Sequence, residues 1–143
     1  MPTKRFLVSW VFSSIAMYLL SYAWHGLFLN DYKELNYPKE IFLIFAVLVY
    51  LVIGFIIAKA TDVSFLINHL KNKPLLRGII AGAACGFFLF IMATVIGVSF
   101  NKNMQLATIL FDVTWQVLEQ TFGGIVVGVV HILVFDPTAI LEE

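Results

Sequence analysis

Four long apolar segments alternate with short polar segments along the chain. The apolar segments run from about residue 6 to 29, 38 to 58, 75 to 100 and 106 to 135. Because about 20 helical residues cross the ~30 Å hydrocarbon core of a bilayer, each segment is long enough to span it. The pattern predicts an all-α integral membrane protein whose single domain, residues 1–143, is a bundle of four transmembrane helices.

The polar segments predict how the four spans are joined. "NDYKELNYP" and "NKNMQ" are short enough for turns between antiparallel neighbours, and Pro38 and Pro74 stand where a helix is entered. The connection between the second and third spans, "KATDVSFLINHLKNKP", is longer. Its residues 63–70 predict a short amphipathic helix on the membrane surface.

Composition supports a membrane location and limits the partners. The chain is 61% hydrophobic and 13% charged, with a mean hydropathy of +0.94, so we expect the lipid bilayer as its surroundings. A net charge of zero argues against a nucleic-acid partner, which needs a basic face. The apolar stretch after Lys4 and Arg5 is too long for a cleaved signal core, which favours a retained signal anchor.

The distribution of positive residues predicts the orientation. Loops on the cytoplasmic side carry an excess of lysine and arginine, and six such residues fall on one side against three on the other. This predicts cytoplasmic termini, N-in and C-in. The lysines and Arg77 of the longer connection are expected to bind anionic lipid headgroups without specificity. The six positive residues on the predicted cytoplasmic side are Lys4, Arg5, Lys59, Lys71, Lys73 and Arg77. The three on the opposite side are Lys33, Lys39 and Lys102.

A weak internal similarity relates the second and fourth spans. "VIGFIIAKATD" (52–62) aligns with "VVGVVHILVFD" (126–136), which pairs Gly54 with Gly128 and Asp62 with Asp136. One interpretation is two repeated helical hairpins about an axis along the membrane normal. A chance match of small apolar residues is the other interpretation.

Glycines recur at four-residue spacing in the third span and cluster in the fourth. Small residues at this spacing let helix backbones approach closely in lipid. Packing of the third span against the fourth is the favoured interpretation, and a homo-oligomer interface is the alternative. The predicted helix-packing residues are Gly78, Gly82, Gly86, Gly123, Gly124 and Gly128.

The fourth span carries an unusual polar face. Helical periodicity places Asp112, Gln116, Glu119 and Gln120 on one side. A charge near the bilayer centre costs ~3 kcal/mol, so Glu119 is expected to face the bundle or a water-filled cavity. His25 lies at a matching depth in the outer third of the first span. The sequence therefore predicts a pocket, open to the outside, where His25 meets these side chains.

Three interpretations of this polar cluster remain. It is a hydrogen-bond network that holds the fourth helix in place, a site that binds or relays a proton, ion or small solute, or a metal site. Metal binding is the least favoured, because no tight His/Glu spacing supports it, and no metal is expected. His25 and His131 lie at opposite faces, so they cannot share a haem.

No catalytic residue or cofactor is predicted, because the chain lacks a Walker motif, HExxH, a nucleophile elbow and a dinucleotide fingerprint. An enzyme is therefore the third choice. The favoured function is binding or translocation of a proton, ion or small solute. The alternative is a non-catalytic membrane subunit whose polar stripe and glycines dock a second copy or another integral membrane protein.

Two short motifs carry a family resemblance. "YAWHGLF" closes the first span and "FDVTWQ" opens the fourth, with Trp24, His25, Gly26, Asp112 and Trp115 as the distinctive residues. With these motifs the chain resembles small bacterial four-helix membrane proteins known as domains of unknown function. The resemblance implies the four-span layout over nearly the whole chain and no particular activity.

Overall fold

The computed structural model describes residues 3–30, 33, 38–100 and 106–134, and these residues contain helices but no strand. The elements are α1 (Lys4–Ser21), a π-helical segment (Tyr22–Phe28), α2 (Lys39–Thr61), α3 (Ser64–His69), α4 (Pro74–Phe100) and α5 (Leu106–Leu133). The predicted end of the fourth span at residue 135 and the aligned Asp136 lie outside the described residues, as does Lys102.

Four of these helices are long and apolar enough to cross a membrane. They cover Lys4–Phe28, Lys39–Thr61, Pro74–Ile96 and Ile109–Leu133. This confirms the prediction of four apolar helices of membrane-spanning length, as in a multi-pass membrane protein. The short helix α3 falls within residues 63–70, where the sequence predicted an amphipathic piece.

The helix ends follow from local chemistry. The Thr3 hydroxyl accepts a hydrogen bond from the backbone N–H of Phe6 at 3.2 Å and so caps α1. Pro38 precedes α2 in an extended conformation, and Pro74 is the first residue of α4, where its missing N–H has no helical partner to lose.

The longest interface joins α4 to α5, which run antiparallel in contact through glycines. A Cβ atom on Gly78 would overlap the backbone of Gly124, and one on Gly82 would lie 2.9 Å from the carbonyl carbon of Gln120. A Cβ on Gly86 would lie 2.7 Å from the carbonyl oxygen of Gln116. The glycines of the third span thus face the fourth span of the same chain.

The other glycines of α5 contact different neighbours. Gly128 lies against the start of α4, where a Cβ would be 2.7 Å from Cα of Leu75. Gly123 faces α1, where a Cβ would be 2.8 Å from Cγ of Met17. Glycines on two faces of α5 therefore bring both α1 and α4 close to it.

Helix α1 packs between α2 and α5 through buried serines. The Ser13 hydroxyl donates to the carbonyl oxygen of Gly123 at 2.9 Å, and Ser14 fills the space beside Gly54 of α2. The indole N–H of Trp10 donates to the carbonyl oxygen of Leu51 at 2.6 Å. Small polar residues thus give α1 the close approach that glycines give α4 and α5.

Candidate functional site

Glu119 is the most buried carboxylate among the described residues, and its two oxygens accept hydrogen bonds from side chains of its own helix. The residue is 2% exposed. The indole N–H of Trp115 donates to Oε2 at 3.1 Å, and Nε2 of Gln120 donates to Oε1 at 3.1 Å. Since a buried carboxylate needs such donors, these two residues help to stabilise Glu119 within the membrane-spanning part of α5.

A third donor comes from α2. The side chain of Tyr50 hydrogen-bonds Glu119, and His25 lies within electrostatic range of the same carboxylate. Tyr50 also forms an edge-to-face ring contact with Tyr18 of α1, with ring centroids 6.2 Å apart. Glu119 is therefore surrounded by groups from the first, second and fourth spans.

The residues that face Glu119 from the first span belong to a π-helical segment. Over Tyr22–Phe28 the helix changes its hydrogen-bonding pattern, and the backbone N–H of Leu29 donates to the carbonyl of Trp24, five residues earlier, at 2.9 Å. Segments of this kind are rare and recur at functional sites. In this chain the segment presents two consecutive residues, Trp24 and His25, to different neighbours.

Trp24 of this segment stacks on α5. Its ring lies 4.2 Å from the ring of Trp115 with an angle of 12° between the planes, and 5.9 Å from the ring of Phe111. Because Trp115 donates to Glu119, the stack holds the donor in place over the carboxylate.

A partly open cavity of about 260 Å³ lies beside this network, between α1 with its π-helical segment and α2. Its walls are mostly apolar and include hydroxyl groups and one imidazole. Tyr50 belongs both to the cavity wall and to the hydrogen bonds of Glu119. The lining residues are Tyr18, Ser21, Tyr22, His25, Phe42, Phe45, Ala46, Val49 and Tyr50.

The residues of the predicted polar face are buried to different extents, and the two carboxylates do not line the cavity. Asp112 is exposed, Gln116 is half-buried, and Glu119 and Gln120 are buried. His25 lines the cavity, but neither carboxylate does. Tyr50 and Trp115 hydrogen-bond Glu119 beside this cavity, and a shared pocket of His25 with both carboxylates stays a prediction.

Gln120 has a second role at the helix interface. It is fully buried where α5 meets α4, with its Cβ 3.1 Å from the position that a Cβ on Gly86 would take. Its amide nitrogen donates to Glu119, whereas its Oε1 has no hydrogen-bond partner. The amide therefore connects the glycine contact to the carboxylate network.

Sequence reasoning missed Tyr50 and Trp115 as partners of Glu119. A signal for Trp115 was present, because it precedes Glu119 by four residues and so lies on the same helical face. No comparable signal existed for Tyr50, whose approach depends on how α2 packs. Among the described residues, no group of three His, Cys, Asp or Glu side chains is placed to hold a metal ion.

Comparisons with known proteins add no relative. No protein-family model matches the chain, and neither a curated protein nor a solved structure matches it.

Proposed function

We propose that the protein is a four-helix bundle of a bacterial inner membrane, with both termini in the cytoplasm, that binds or translocates a proton, ion or small solute at a site between α1 and α2. The observation that carries this proposal is that one side chain, Tyr50, links a buried carboxylate to an open cavity. Glu119 is 2% exposed, and Tyr50 connects it to the cavity that His25 also lines.

The cavity chemistry favours a small, largely apolar solute with one polar group. Phe42, Phe45 and Val49 supply an apolar wall, and the polar groups of Tyr50 and His25 supply hydrogen-bonding positions. A proton that moves between Glu119 and these polar groups of the cavity wall would change the charge facing the bound solute. Carboxylate and histidine groups within membranes serve such relays elsewhere.

The proposed topology places this site toward the outside. The positive residues concentrate at the N-terminus and in the connection between α2 and α4, and positive residues favour the cytoplasmic side. The cavity lies toward the opposite ends of α1 and α2, since its residues run to His25 and Phe42. In this orientation the cavity opens on the outer half of the bilayer.

Proton flux in reconstituted vesicles tests the proposal. A pH-sensitive dye inside phosphatidylcholine–phosphatidylglycerol vesicles reports the flux that an imposed pH gradient drives. We expect Glu119→Gln to reduce it about tenfold or more, as general loss of a relay group does. Ala46→Leu, which fills the cavity without a charge change, should reduce it as well. Glu40→Gln, the same chemical change at an exposed position of α2, is the matched control.

Unchanged flux in Glu119→Gln, with a lower stability in detergent, would overturn the proposal. The hydrogen bonds of Glu119 would then serve only to hold α5 against α2. Asp112→Asn is measured in the same flux assay. A loss of flux equal to that of Glu119→Gln would extend the site along α5 toward its exposed start.

One observation favours a second function, a non-catalytic subunit that docks on another membrane protein or on a second copy. Leu110, Phe111 and Asp112 are exposed together near the start of α5. A carboxylate among exposed apolar side chains suits a protein partner better than lipid. Photo-crosslinking from position 112 in membranes, compared with position 92 on α4, tests this function. A cross-linked product specific to position 112 would support it, and equal products at both positions would count against it.

A further inference from the structure

The starts of α1 and α4 and the ends of α2 and α5 meet at the end of the molecule opposite to the cavity. Nζ of Lys59 lies 4.8 Å from the centre of the Phe6 ring, which joins the end of α2 to the start of α1. Nδ1 of His131 lies 3.8 Å from Oδ1 of Asp62, which joins the end of α5 to the end of α2. Gly128 contacts the first turn of α4.

Two basic side chains are buried at this meeting point. Arg77 is 8% exposed and His131 is 9% exposed, so Arg77 is buried, unlike the exposed Lys71 and Lys73. Nε of Arg77 and both ring nitrogens of His131 have no hydrogen-bond partner. Nε of Arg5 is likewise buried and without a partner.

Asp62 does not satisfy these groups. It is the acidic residue within electrostatic range of Arg77 and His131, and Arg5 acts on the same two side chains. The 3.8 Å separation between His131 and Asp62 is longer than a hydrogen bond, and Oδ1 of Asp62 is itself without a partner. Among the described residues, Arg77 and His131 thus have one carboxylate near them and Arg5 as a further cation, so positive charge and hydrogen-bond donors outnumber the acceptors there.

The start of α4 adds to this excess of positive charge. Arg77 lies in its first turn, at the positive end of the helix dipole, which favours an anion. A guanidinium group offers paired N–H donors that match the oxygens of a phosphate. The described part of the chain therefore combines a helix start with buried donors that lack acceptors.

We propose that Arg5, Arg77 and His131 form a binding site for a phosphate group at this end of the molecule. The phosphate belongs to an anionic phospholipid headgroup or to a free phosphate ion, since either supplies the acceptor oxygens that these donors lack. Buried donors distinguish this site from the exposed Lys71 and Lys73, which attract any anionic surface.

Thermal unfolding of the full chain in a neutral detergent tests the site. The probes are phosphatidylglycerol, phosphatidylcholine and inorganic phosphate, the last against chloride at equal ionic strength. We expect the unfolding temperature to rise with phosphatidylglycerol more than with phosphatidylcholine. Arg77→Gln should weaken the concentration dependence about tenfold, as loss of a charge-assisted pair does. Lys73→Gln, the same charge change at an exposed position, should leave it nearly unchanged.

The outcomes separate the two sources of phosphate. A rise with inorganic phosphate as well as with phosphatidylglycerol indicates a site for the free ion, and a rise with phosphatidylglycerol alone indicates a headgroup site. No rise with any probe, or an equal loss in Lys73→Gln, overturns the proposal. If Arg77→Gln does not fold, Arg5→Gln is compared with Lys4→Gln, its exposed neighbour. Equal responses in this second pair also overturn the proposal.

Discussion

The rings of Trp24 and Trp115 stack at 4.2 Å and join the end of the first span to the first half of α5. Trp115 uses its indole N–H to bind Glu119, so one residue takes part in both the stack and the carboxylate network. The stack thereby connects the π-helical segment to the most buried charge-bearing group of the described chain.

Loss of this stack should destabilise the protein and disturb Trp115. Trp24→Ala is expected to lower the free energy of unfolding by about 1 kcal/mol, the usual contribution of an aromatic pair. Trp24→Phe should retain part of it. Unfolding in increasing sodium dodecyl sulfate measures the energy, and near-ultraviolet circular dichroism reports the coupling of the two indoles. An unchanged spectrum in Trp24→Ala would contradict the stacked arrangement.

The contact between α4 and α5 should not tolerate a side chain at Gly82. Gly82→Leu places a side chain where a Cβ already lies 2.9 Å from a backbone atom of Gln120, so the helices must separate. We expect a loss of about 1–3 kcal/mol, as for an overpacked core. Ala93→Leu, at an exposed position of the same helix, is the control. Equal stability of the two variants would mean that the helices do not pack through Gly82.

The hydroxyl of Tyr50 should matter more than that of Tyr18. Tyr50→Phe removes a donor to Glu119, and interhelical hydrogen bonds in membranes contribute about 0.6–1.7 kcal/mol. Tyr18→Phe changes a neighbouring ring of the same cavity wall without removing a donor from the carboxylate. Unfolding of the two variants in sodium dodecyl sulfate measures the difference. The reverse order of stability would place the donor to Glu119 elsewhere.

Two buried serines of α1 should respond differently to the loss of their hydroxyl groups. Ser13→Ala removes a hydrogen bond to the carbonyl of Gly123 and should cost about 0.6 kcal/mol or more. The hydroxyl of Ser9 is buried without a partner, so Ser9→Ala should be neutral or stabilising. The same unfolding assay compares the two. A larger loss in Ser9→Ala would show that its hydroxyl has a partner in the folded protein.

The four spans were predictable because crossing a membrane requires a length of apolar helix, which is written in the sequence itself. The polar side of α5 was predictable for a related reason, since helix geometry fixes which residues share a face. What covers that face was not predictable. It depends on Tyr50 from another helix and on a change of helical type at Trp24 and His25, for which the residue types give no clear signal.

The convergence of Arg5, Arg77 and His131 was not predicted, for a similar reason. Arg77 follows a polar connection and looks like a surface residue, and His131 looks like the polar end of a span. Only the convergence of four helix ends buries these two side chains and brings the buried Nε of Arg5 near them.

The π-helical segment makes chain length, and not only residue identity, a determinant of the site. An ordinary α-helix over Tyr22–Phe28 would need fewer residues for the same rise, because each turn of the segment holds an additional residue. Deletion of one residue there would let the first span continue as an α-helix and would rotate the C-terminal end of this span. Trp24 would then leave Trp115 and His25 would leave the cavity, although every remaining residue of the site is unchanged. Homologous chains that lack one residue at this point are therefore expected to have lost the pocket while keeping all four spans.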